Sequence, residues 1–146
     1  MTKLNTWNID VNRQVNIIIG KEFGKTTLLK KLYFDASFNP EWHQFIHSNG
    51  SHGIGFVPCN TSIFEGMSEG QSRLKSIYDV LDTVCKHDGD RLLIIDNIER
   101  GLYIDVQRTL ISDLIAKGGS NLKIICSTHS PIFYQGWIDC VVRANE

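Results

Sequence analysis

Four short clusters in this chain carry the residue types that phosphate chemistry uses. The first is Gly20, then Lys21, Glu22 and Phe23, then Gly24-Lys25-Thr26-Thr27. It sits between a strand-like run, Asn16 to Ile19, and the apolar and basic pattern "LLKKL". A glycine turn between a strand and a helix offers backbone N–H groups to an anion, a lysine reaches the outer phosphates, and a hydroxyl ligates the accompanying cation. The spacing is one residue shorter than G-x-x-x-x-G-K-[ST]. The second cluster is Asp96, which closes "RLLIID" where a carboxylate can hold Mg²⁺ beside a triphosphate, usually through water. It is equally suited to capping a strand-to-loop turn. The third, "MSEGQSR", puts Ser68, Gly70 and Gln71 at the start of a helical pattern, either as an anion site or as a plain N-cap. The fourth is His129 in "KIICSTHSP", just past an apolar strand.

The elements that must position these residues follow from hydrophobic period and turn chemistry. Residues 4 to 19 alternate and then end in "VNIIIG", which predicts one or two strands, the second of them buried. "TTLLKKLYF" opens a helix at the phosphate loop. Residues 35 to 66 hold most of the turn signals, with "GIGFVP" as a short strand. From Ser68 to about Lys86 the spacing of Leu74, Ile77, Tyr78, Leu81, Val84 and Cys85 predicts a helix, with Ser68 as N-cap and the glycine of "HDGD" as its end. "RLLIID" and "LKIICST" are continuous apolar runs, as central parallel strands require. A helix from about Ile104 to Lys117 separates them, and "DCVVRA" gives a last short strand. Strand and helix alternate, so the expected fold class is α/β: a mainly parallel sheet flanked by helices, in one domain spanning 1–146.

Composition narrows the function classes. With 15 basic and 16 acidic residues the chain lacks the charge of an autonomous nucleic-acid binder, so any nucleic-acid contact is expected to be indirect. The four cysteines, Cys59, Cys85, Cys126 and Cys140, have no zinc-ligand spacing and are read as packed or free thiols. No window approaches a bilayer span and the start has no apolar leader core, so no membrane partner and a reducing cytoplasmic setting are expected.

Taken in order, the four clusters resemble the ABC-type P-loop ATPases, most closely the soluble SMC/RecF/OLD-like branch of AAA-family ATP-binding proteins. The correspondence runs from Walker A (Gly20 to Thr26) through a signature ("MSEGQ" for LSGGQ), Walker B ("LLIIDNIE") and a D-loop-like "RGLYID" to the switch histidine, His129. "DNIERGLYIDVQRTLISDLI" is similar to the DEIExGLHPxxQ form of that branch. The resemblance implies a minimal P-loop NTPase fold and a site shared between two protomers, so the implied partners are nucleotide and either a second copy or another ATPase or effector protein. Gly20, Lys21, Gly24, Lys25, Thr26 and Thr27 would bind ATP, and Thr26 with Asp96 would hold Mg²⁺. Ser68, Gly70 and Gln71 would close over the γ-phosphate from the opposite protomer, and His129 would contact that phosphate during hydrolysis.

Three departures bear on turnover. The shortened loop misplaces at least one amide, and a hydrogen bond to a charged group is worth about 1.5–3 kcal/mol, or one to two orders of magnitude in affinity. Asn97 stands where the family has the water-polarising glutamate, a loss worth about 10²–10⁴ in rate. Glu99 is the nearest spare carboxylate, but the family has an acid there as well as the catalytic one. The family's Q-loop glutamine falls at Cys59 or Asn60. The short N-terminal strands leave the adenine either to stack on Trp7 or to be weakly held. Two readings follow: an ATP·Mg-binding ATPase that dimerises and hydrolyses slowly, or an inactive binding module that pairs with a larger ATPase or nuclease.

Overall fold

The computed structural model describes residues 3–4, 9–10, 13–19, 26–27, 29–30, 33, 53–60, 62–86 and 89–143. Gly20, Lys21, Gly24, Lys25 and Trp7 lie outside these, so the phosphate loop itself is not described.

Two short strands, β1 (Lys3–Leu4) and β2 (Ile9–Asp10), pair antiparallel as a separate ribbon. The main sheet holds β3 (Val15–Ile19), β4 (Ile54–Val57), β5 (Arg91–Ile95), β6 (Leu122–Ser127) and β7 (Val141–Arg143) in the order β4-β5-β6-β3-β7. Every neighbouring pair in it is parallel. The fold class is therefore α/β with a parallel sheet, as the alternation predicts. The N-terminal region differs: three strands form where one or two were expected. Alternating residues suit a separate ribbon, whereas "VNIII" is buried along its whole length and lies inside the sheet, between β6 and β7.

Helices α1 (Glu69–Val84), α2 (Ile104–Gly118) and α3 (Pro131–Gly136) follow β4, β5 and β6. Ile77 and Leu81 of α1, Leu110, Ile111 and Leu114 of α2 and Phe133 of α3 pack with Ile17, Leu93, Ile95 and Ile124 from one face of the sheet. Ile18, Leu92, Ile94 and Ile125 point the other way and bury Ile9 and Leu29, the latter in the helical residues after β3. The two faces follow from handedness. From β3 the chain crosses to the far edge at β4 and then steps back, and a parallel crossover keeps its right hand only if the covering helix changes sides when the direction reverses.

Helix α1 starts where the sequence predicts and stops earlier. Its last buried residue is Val84 and Cys85 caps it in ordinary helical conformation, so the helix ends with its apolar stripe and Gly89 lies beyond it. Among the described residues no helix is long and apolar enough to cross a membrane.

Candidate functional site

Because the sheet is parallel, the residues that follow β3, β5 and β6 emerge at one edge. Cross-strand bonds fix that edge: Thr128 N–H donates to Ile18 O at 3.1 Å, Ile98 N–H to Ser127 O at 3.0 Å and Asp96 N–H to Val57 O at 2.9 Å.

Asp96 is 2% exposed. Its Oδ1 accepts from Ser127 Oγ at 2.9 Å, and the same hydroxyl oxygen accepts from Asn97 N–H at 2.8 Å. Its Oδ2 is buried with no partner. Buried polar atoms are rarely left orphaned, so one carboxylate oxygen oriented by a serine beside one left without a partner fits a cation ligand. Among the described residues no group of three or more His, Cys, Asp or Glu side chains could hold a metal. One protein carboxylate is the donor set of Mg²⁺ that also takes phosphate oxygens and water, so the residues present fit that ion.

Asn97 has φ 55°, in the left-handed region that asparagine tolerates better than most residues. Its amide has two possible orientations. One sets the amide oxygen against the Glu99 carboxylate and Nδ2 at 3.5 Å from Cys59 Sγ; the other turns Nδ2 to donate to Glu99 Oε2 at 2.7 Å and Oε1 at 3.2 Å. Repulsion between oxygens selects the second. Glu99 also accepts from Thr128 Oγ1 at 2.6 Å and from His129 N–H at 3.2 Å. One carboxylate thus ties the turn after β5 to the loop after β6. That loop is braced further, since Ser130 N–H donates to Thr128 Oγ1 and Ser130 Oγ donates to Gln107 Oε1 of α2. The structure therefore brings together Asp96, Asn97, Glu99 and His129, with His129 exposed.

Thr26 and Thr27 are helical and exposed, on the segment that follows β3. Ser68, Gly70 and Gln71 make contacts of another kind. Ser68 Oγ accepts from Gln71 N–H at 3.2 Å and Ser68 N–H donates to Gln71 Oε1 at 3.0 Å, a complete capping box. A Cβ on Gly70 would lie 2.9 Å from Gly101 O, so the first turn of α1 rests directly on the turn after Glu99. The plain-cap reading of Ser68 holds, and its hydroxyl proton is still free to donate.

Sequence reasoning missed Arg73. It is 1% exposed; Nη1 donates to Pro58 O at 2.6 Å and Nη2 to Asp96 O at 2.7 Å and Asn97 O at 3.0 Å. Burial, the largest cause, lowers its affinity for its proton. The guanidinium clamps α1 to the end of β4 and to the turn that carries Asp96. A signal was present: Arg73, Ile77 and Leu81 recur at four-residue steps, so the arginine occupies the buried stripe. Cys59, a candidate for the Q-loop position, is half-buried beside this turn, with Arg100 Nη1 at 3.5 Å from Sγ.

No curated protein matches the chain. Among solved structures, a chain from the structure of Drosophila ORC bound to GC-rich DNA and Cdc6 aligns at 14% identity with a TM-score of 0.42, covering 87% of this chain and 45% of that one. This chain thus spans less than half the length of that match. Residues 60–133, about half of the chain, match the family model described as "AAA domain, putative AbiEii toxin, Type IV TA system". The matched span holds "MSEGQ", Asp96, Asn97, Glu99 and His129, and on it the chain belongs to this family of AAA-type P-loop ATPase domains.

Proposed function

We propose that this domain binds ATP with Mg²⁺ in the ABC manner, closing as a nucleotide-sandwiched dimer whose hydrolysis is slow or impaired. The observation that carries the reading is the buried, unpartnered Oδ2 of Asp96 at the carboxyl edge of a parallel sheet, just past a strand two places from the one leading into Gly20.

In this reading Lys25 and the amides between Gly20 and Thr27, with Lys21 and Gly24 in the turn, hold the phosphates. Thr26 and Asp96 supply the protein ligands of Mg²⁺, which when bound would neutralise phosphate charge. Ser127 fixes the Asp96 carboxylate, Arg73 fixes its backbone, and Glu99 holds the backbone of His129 at the same edge. Ser68, Gly70 and Gln71 present the N-terminus of α1 to a nucleotide held by the other protomer. Asn97 cannot take a proton from water, and its amide is already committed to Glu99. Glu99 in turn is occupied by three donors, which leaves it poorly placed to serve as the base.

That last observation favours a second reading, an inactive module that pairs with a larger ATPase or nuclease. Calorimetry of ATP·Mg²⁺ binding, with Lys25→Ala as control and light scattering in the same buffer, separates the two. Micromolar binding lost in the variant, with ATP-dependent dimers, supports the first. No binding up to millimolar nucleotide removes it and leaves a surface retained for partner binding.

A further inference from the structure

A small cavity of about 120 Å³ opens beside α1, lined by Asn60, Ile63, Glu69, Arg73 and Arg100. Two arginines therefore line one space. Neither is ion-paired among the described residues. Arg73 spends Nη1 and Nη2 on three backbone carbonyls, and its Nε–H is buried without a partner. Arg100 makes one weak contact, to Cys59 Sγ. Arg100 adds to the burial that disfavours charge on Arg73, while Cys59 and the Asp96 and Glu99 carboxylates act in the opposite sense. Neither guanidinium has a carboxylate in direct contact among the described residues, and an anion placed beside both would supply one.

We propose that this cavity binds a single carboxylate group, from a small organic acid or from an acidic side chain of another polypeptide. The lining selects the ligand. In the lining itself two arginines stand against Glu69, and the nearby Asp96 and Glu99 carboxylates further oppose a phosphate dianion relative to a monoanion. The planar fork of Arg100 suits a carboxylate, and Asn60 adds an amide to the wall. The volume accommodates a carboxylate and its first carbon but not a nucleotide. Because Arg73 also holds the backbone of Asp96 and Asn97, occupancy of the cavity stiffens the turn that carries the candidate cation ligand. The site does not require nucleotide, so it is tested without it.

The experiment follows the Arg73 Nε–H resonance by ¹⁵N NMR while sodium acetate replaces sodium chloride at constant ionic strength. A saturable shift with acetate is expected, together with a weaker response to inorganic phosphate. Arg100→Gln should weaken acetate binding about tenfold, the loss of one charge-assisted hydrogen bond. Glu69→Gln should strengthen it several-fold. A second titration uses N-acetylglutamate α-amide: tighter binding than acetate assigns the site to a polypeptide side chain, and equal or weaker binding assigns it to a free acid. No saturable acetate shift, or equal affinity in Arg100→Gln, overturns the proposal.

Discussion

At the residue scale, the position after Asp96 is where local chemistry and backbone geometry conflict with hydrolysis. Replacing Asn97 by glutamate restores the family's residue type but puts a bulkier side chain at φ 55° and a second carboxylate against Glu99. Left-handed backbone costs about 1–2 kcal/mol for ordinary residues. Asn97→Glu is therefore expected to lower stability by about that much in urea denaturation, and Asn97→Gly to lower it less. If Asn97→Glu is as stable as the parent, the amide bond to Glu99 and the backbone constraint are both unimportant. Arg73 carries a larger consequence. Arg73→Met leaves three carbonyls without their donor and should cost about 3 kcal/mol or more. Arg73→Lys should recover only part of this, since an ammonium lacks the planar fork that reaches Pro58, Asp96 and Asn97 together.

At the scale of elements, α1 serves two purposes that one pair of substitutions can separate. Ser68 caps the helix, so Ser68→Ala should destabilise the domain by about 1 kcal/mol, and Ser68→Gly by only a few tenths. Under the proposed function both should abolish ATP-dependent dimers. Full dimer formation by Ser68→Gly would confine the serine to its capping role. The strands and helices of this half of the chain were legible because the signals were local: continuous apolar runs at "RLLII" and "LKIICS", and a four-residue apolar stripe beginning at a serine. The Asp96 edge was legible for the same reason, since a parallel strand delivers its following residue to one known place. What stayed hidden was long-range or conformational. Nothing in the local sequence says that Glu99 reaches Thr128 and His129, 29 and 30 residues away, or that Asn97 takes a positive φ. Arg73 was obscured because arginine is ordinarily a surface residue, although its phase on the helix is a buried one.

For the whole molecule, burial sets the response to alkali and to thiol reagents. Burial pushes the Cys126 thiol far up, raises Cys140, and raises the Tyr78 phenol above its ordinary value of 10.0. In each case the folded chain holds a proton that the unfolded chain gives up more easily. Their contribution to stability is present below the unfolded values and falls as pH rises through them, so denaturation midpoints should drop from about pH 9 upward. Thiol labelling of the native protein should spare Cys126, which is fully buried, and modify half-buried Cys59 first among the two. Equal labelling rates would show that the sheet opens readily.

The Glu99 carboxylate has a consequence for how the molecule opens in time. It fastens the turn after β5 to the loop after β6 through the Asn97 amide, the Thr128 hydroxyl and the His129 N–H. Two loops joined in this way cannot fluctuate separately; breaking one contact loosens the rest. Amide hydrogens of Asn97, Ile98 and His129 should therefore exchange with solvent as one cooperative unit with a common opening free energy, and Glu99→Gln should split that unit into two.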